Sequence, residues 1–214
     1  MEYEKQVDKT HYSFKKYFFT GRWMSYWYQT EEISKRMDIK TVLDIGPGTV
    51  FMQDILKIHR PDLIYKTLDI AEDLHPDIIG GVTAIPLSDR SYDLVSAFQV
   101  LEHIDFRDVE AALLEMKRVS KKYVFVSLPH FGPSIEFLLK VPFLKRMRFA
   151  CKIPYAPKHV FGGQHYWEIG KAGYSTKRIR SLMASHFTIL DEYVPFENQY
   201  HHFYIMEKKE YERS

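Results

Sequence analysis

The segment VLDIGPGTV at 42–50 ends an apolar run in an acid, Asp44, and follows it with Gly46, Pro47 and Gly48. That order predicts a strand, a tight turn and the start of a helix, with a small ligand held at the turn. A dinucleotide-binding turn would read GxGxxG or GxGxxA, but Phe51 stands at the third position and is too large for the close helix-to-strand packing. A carboxylate at the strand end also repels a diphosphate and attracts an ammonium group. The chemistry indicated is capture of a cationic amine.

Asp69 closes a second β-rich run, LIYKTLDI at 63–70, and lies 21 residues beyond Gly48. A second strand there presents an acid to a ribose diol. Histidines supply the candidate proton chemistry. His103 follows Glu102 just past a third apolar run, and His165 follows paired glycines in GGQHYWEIG. Each can act as a base near neutral pH or simply organise its loop through hydrogen bonds. His130, His159 and His165 show no HExxH or paired-cysteine spacing, so no required metal is predicted. His201 and His202 fall in a strand-like run, one on each face, with a core or surface role.

The elements that position these residues follow from periodicity. Residues 91–104 and 121–130 read as buried strands, and 106–120 as a helix with Val109, Leu113, Met116 and Val119 at helical spacing. Ser175 or Thr176 caps a later helix, FTILDEYVPF reads as a strand, and YHHFYIMEK as its hairpin partner. The alternation predicts a mostly parallel α/β sheet. Residues 1–38 read as an aromatic helical cap whose stripe is either core or ligand box.

With its motifs in this order, LDIGPG, LD, IPLSDRSYDLV, LEHI and KRVSKK, the chain resembles the class I S-adenosylmethionine-dependent methyltransferases, in their small-molecule branch. The resemblance implies a Rossmann-like seven-stranded sheet, mostly parallel with one antiparallel edge strand and helices on both faces. It implies that Asp44 and the Gly46–Pro47–Gly48 turn hold the methionine end of S-adenosyl-L-methionine, and that Asp69, with Ile70 beside it, binds the ribose. Val82 and Thr83 would pack beside the adenine and Gln99 would line the pocket, while Tyr12, Tyr17 or Arg22 from the cap would close it. Two family features are missing: a third glycine, where Val50 stands, and an acid near Gly81. Adenine recognition through backbone amides is the consequence.

With 214 residues, 45% hydrophobic and 27% charged, the chain can bury one sizeable core, and a single domain over 1–214 is expected. The lone Cys151 excludes an internal disulfide, and an N-terminus without an apolar run points to a reducing cytoplasmic setting. A formal charge of +2 does not suggest nucleic acid. Residues 130–173 interrupt the alternation and are expected to form a lid over the substrate, with His130, Arg146, Arg148 and Tyr166 contacting it. In that stretch Lys140, Lys145, Arg146, Arg148, Lys152, Lys158 and Lys171 face only Glu136 and Glu168. An anionic acceptor would be drawn to such a surface, although a solvated basic face has the same composition. IEFLLKVPFLKRMRF also mixes apolar and basic residues as interfacial helices do, giving peripheral membrane contact as a third reading.

The function expected is methyl transfer to a small molecule, leaving S-adenosyl-L-homocysteine, with oxygen as nucleophile and a sugar or glycan-derived anionic acceptor. His165 and His103 are the expected bases. A quinone-, lipid- or amine-directed methyltransferase and a non-catalytic partner subunit are the alternatives. Oligomeric state is open.

Overall fold

A computed structural model describes Tyr3 and residues 17–209. Its element order is α1 (Thr20–Ser34), β1 (Thr41–Ile45), α2 (Phe51–His59), β2 (Ile64–Asp69), β3 (Ile78–Ile79), β4 (Tyr92–Phe98), α3 (Val109–Val119), β5 (Ser120–Pro129), β6 (Ser134–Leu139), β7 (Met147–Lys152), α4 (Thr176–His186), β8 (Phe187–Tyr193) and β9 (His201–Lys208). Seven strands form one sheet in the order β3-β2-β1-β4-β5-β9-β8. β1 to β5 are mutually parallel, whereas β9 runs antiparallel between β5 and the edge strand β8. The predicted sheet is therefore present.

Both faces of this sheet are covered, as a mostly parallel sheet requires. Successive side chains on a strand point to opposite faces. In β1, Leu43 and Ile45 enter one apolar cluster and Val42 the other; in β5, Val124, Val126 and Leu128 oppose Tyr123 and Phe125. The first cluster receives Val109, Ala112, Leu113, Met116 and Val119 from α3, with Ile179 and Met183 from α4. Those positions recur at helical spacing, so one stripe of each helix is buried. Tyr26 and Ile33 of α1 and Met52 and Leu56 of α2 fill the second cluster. Ser175 caps α4 by accepting from the Arg178 amide at 3.2 Å, one of the two predicted caps.

The cap and lid differ in detail from expectation. α1 is one helix whose Tyr26 is core while Trp23 and Trp27 are exposed, so the aromatic stripe is split between two roles. Tyr12 lies outside the described residues. IEFLLKVPFLKRMRF is not an interfacial helix but a two-stranded hairpin, β6 and β7, paired from Ser134↔Lys152 to Leu139↔Met147. Its turn contains Pro142 and Phe143, the latter at φ 68°. Proline lacks an amide donor and interrupts a helix, and the branched and aromatic residues beside it suit extended backbone. Among the described residues no helix is long and apolar enough to cross a membrane.

Candidate active site at the C-terminal end of the sheet

The β1–α2 turn forms one wall of a cavity of about 230 Å³. Gly46 and Gly48 have φ of 61° and 63°, left-handed values that favour glycine. A Cβ on Gly46 would stand 2.7 Å from Val100 Cγ2, so the turn is closed to larger residues there. Asp44 lies behind the turn, buried, accepting from Tyr65 Oη at 2.6 Å and Ser96 Oγ at 2.7 Å. Burial outweighs these two hydrogen bonds and pushes its carboxyl up to about 6. Tyr17, Arg22 and Tyr26 close this end from the cap. The Arg22 guanidinium sits 4.2 Å over the Tyr17 ring, and its buried Nε has no hydrogen-bond partner.

Gln99 lines the cavity at the end of β4 with φ 58°, an uncommon conformation for a residue with a side chain. Its amide and side chain are both tied to Ser127, at 2.9 and 3.2 Å. A short 3₁₀ turn, Leu101–His103, then delivers Glu102 and His103 to the far wall. The lid is bound to this turn by three contacts: Tyr166 N donates to Glu102 O at 2.8 Å, Trp167 Nε1 donates to Leu101 O at 3.2 Å, and His103 Nδ1 meets Gln164 O at 3.1 Å. Trp167 is fully buried and anchors the segment in the core. His165 is thereby held with its ring centroid 5.1 Å from that of His103. His165 Nδ1 lies 2.8 Å from Glu168 Oε1, and Tyr200 Oη donates to the same oxygen at 2.8 Å.

The electrostatics of this wall are coupled. Burial pushes the Glu102 carboxyl up to about 7. Burial also pulls His165 down, but its hydrogen bond to Glu168 and the nearby Glu102 charge outweigh that and leave it above the usual histidine range. The same hydrogen bonds hold Glu168 below the usual carboxylate range despite its burial.

Of the sequence-predicted residues, Asp44, Gly46, Pro47, Gly48, Gln99, His103 and His165 line this cavity. Asp69 ends β2 and Ile70 follows it, both outside the lining; Asp69 Oδ1 accepts from the Ala71 amide at 2.9 Å. Val82 is buried in the core and Thr83 is half-buried. The four predicted acceptor contacts lie elsewhere. His130 is buried, its ring stacked on His202 with Nδ1 atoms 3.1 Å apart. It borders a second hollow with Lys152 and Lys171. Arg148 pairs with Glu197, Arg146 sits at the exposed hairpin turn, and Tyr166 packs on Phe161 and Tyr3. Sequence reasoning missed Glu168, three residues after His165, and Tyr200, which arrives from the β8–β9 connection.

Residues 43–126 match the family model described as a methyltransferase domain. The fold is the one shared by solved structures described as S-adenosylmethionine-dependent methyltransferases. Further solved structures share the fold of this chain. The PH0226 protein from Pyrococcus horikoshii OT3 is 14% identical, with 95% of this chain and 100% of that chain covered and a TM-score of 0.60. The Burkholderia thailandensis 1,6-didemethyltoxoflavin-N1-methyltransferase, solved with bound 1,6-didemethyltoxoflavin and S-adenosylhomocysteine, is 14% identical over 87% of this chain and 79% of that one, TM-score 0.58. The Synechocystis PCC 6803 magnesium protoporphyrin IX methyltransferase, solved with S-adenosylmethionine, is 13% identical over 88% and 80%, TM-score 0.54. No curated protein matches this chain.

Proposed function

We propose that this chain is a methyltransferase that uses S-adenosyl-L-methionine to methylate an oxygen of a small-molecule acceptor, releasing S-adenosyl-L-homocysteine. The observation that carries the reading is one cavity with opposite charges, Asp44 and Arg22, at the glycine-turn end and an acid–histidine cluster at the other. The residues fit the cofactor: Asp44 suits its ammonium, the unpartnered Arg22 Nε suits its carboxylate, and Asp69 at the end of β2 suits its ribose. When bound, the cofactor supplies a methyl group activated by its sulfonium. What the chain must add is alignment of the acceptor and removal of its proton. His103 and His165 are assigned to that step, with Glu168 fixing the His165 ring and Tyr200 fixing Glu168. Val82, Thr83 and Ile70 are assigned to the adenine and ribose side.

A sugar or glycan-derived anion remains the favoured acceptor, but its support is narrower than the composition implies. Arg148 is neutralised by Glu197, Lys152 donates to the His130 and Gly132 carbonyls, and none of the lid cations lines the cavity. A lipid-borne acceptor has an observation of its own: Phe137, Leu138, Val141, Phe143, Leu144 and Phe149 are exposed on the β6–β7 hairpin beside Lys140, Lys145 and Arg146. A cytoplasmic setting suits the exposed single Cys151. Screening radiolabelled methyl transfer to phosphorylated sugars, nucleotide-sugars and isoprenoid quinols separates the readings. Turnover of only the quinols would overturn the anionic acceptor.

A further inference from the structure

Glu102 is wholly buried and neither of its carboxylate oxygens has a hydrogen-bond partner. An ionised carboxylate in that state is costly, and a cation is the usual compensation. One ligand-capable atom each from Glu102, His103 and His165 lies within 4.8 Å of the other two. The Nδ1 atoms of the two rings face oxygen acceptors, Gln164 O for His103 and Glu168 Oε1 for His165. Donation from Nδ1 puts the ring's lone pair on Nε2, the atom that binds a metal. A carboxylate or carbonyl behind each imidazole is the supporting layer that metal-ligating histidines carry.

We infer that Glu102, His103 and His165 bind a divalent first-row transition cation at the acceptor end of the cavity. Two imidazoles and one carboxylate suit zinc, cobalt, iron or manganese better than magnesium or calcium, which take oxygen ligands. Ligands about 2.1 Å from a metal are at most about 4.2 Å apart, so small side-chain rotations close the set. Three protein ligands leave a coordination position open toward the cavity.

Its chemical role rests on the methyl-transfer reading. The cation would polarise the acceptor hydroxyl so that its proton passes to water at neutral pH. The oxygen pair then forms the bond to the methyl carbon while the carbon–sulfur bond breaks and leaves its pair on sulfur. His103 and His165 thus act in proton removal through the cation they hold.

The test is calorimetric titration of the full-length, chelator-stripped protein with Zn²⁺, Co²⁺ and Mn²⁺, with Mg²⁺ as control and S-adenosylhomocysteine titrated into the same samples. One equivalent of at least one transition ion should bind, at least tenfold tighter than Mg²⁺. Glu102→Gln, which keeps the side-chain volume, and His165→Asn should each weaken it tenfold or more. Glu168→Gln should weaken it about 10-fold through His165. Where a variant does not fold, the visible absorption of Co²⁺ bound to the wild type reports whether nitrogen ligands are present. Absence of stoichiometric binding by all three ions, binding undiminished in folded Glu102→Gln and His165→Asn, or a Co²⁺ spectrum of the hydrated ion would each overturn the site. S-adenosylhomocysteine binding without metal binding would overturn only the metal site, whereas metal binding without S-adenosylhomocysteine binding would overturn the cofactor reading.

Discussion

At Asp44, burial and ligand charge act in opposite directions. Its carboxyl titrates at about 6 because burial disfavours the ionised form. In the unliganded protein the folded-state value is raised, so its contribution to stability is fullest below the unfolded value near 4 and is lost as pH rises through about 6. The ammonium of the cofactor prefers the ionised form, so affinity moves the other way. Binding of S-adenosylhomocysteine should strengthen as pH rises from 5 to 7, and Asp44→Asn should bind weakly with a flatter profile in that window. An unchanged affinity in Asp44→Asn would contradict the assignment. Alanine is the poorer probe, because it orphans the Tyr65 and Ser96 hydroxyls. His130 and His202 give a second residue-scale test. Burial holds them near 3 and 4, so both stay neutral in the fold and charge on unfolding. Their contribution is present above the unfolded value near 6.5 and is lost as pH falls toward 4. Urea unfolding should show stability falling across that range, less steeply in His202→Phe.

Two short elements, the β1–α2 turn and the 101–103 turn, carry the site, and both depend on backbone geometry. Gly46→Ala introduces a Cβ at φ 61° that meets Val100 at 2.7 Å. A cost of about 1–3 kcal/mol and a loss of S-adenosylhomocysteine affinity are expected, measured by thermal unfolding and calorimetry. Trp167→Ala should cost about 3–5 kcal/mol, since it empties a fully buried ring that also ties the lid to Leu101 O. If the lid is anchored there, activity should fall beyond what the loss of folded protein explains.

The strands were legible in the sequence because alternating apolar residues have to face two covered layers, and Asp44 with its glycines was legible because few residues fit that turn. The acid–histidine cluster was only half legible. Adjacent Glu102 and His103 were visible, but His165 lies 62 residues beyond His103 and reaches it through hydrogen bonds that leave no periodic signal. The hairpin was misread as helical because IEFLLKVPFLKRMRF satisfies both an amphipathic and an extended pattern, and strand pairing decided the outcome.

Across the molecule, the candidate site and the surface chemistry of the hairpin are separated. The cavity sits at the C-terminal ends of the strands, whereas the basic and apolar residues of β6 and β7 lie on the exposed hairpin. Phe143→Ser with Leu144→Ser should leave thermal stability within about 0.5 kcal/mol, as both side chains are exposed. If the acceptor is lipid-borne, the same pair should abolish co-sedimentation with anionic vesicles. Equal sedimentation of both proteins would assign the hairpin no membrane role.

Recognition of S-adenosylmethionine is assigned to the charged glycine-turn cavity. Calorimetric titration of the purified chain with S-adenosylmethionine and S-adenosylhomocysteine, using NAD as control, tests it most directly. Saturable binding of the first two at one site per chain, with none of NAD, is the predicted result; absence of binding by both, or equal binding of NAD, would contradict it.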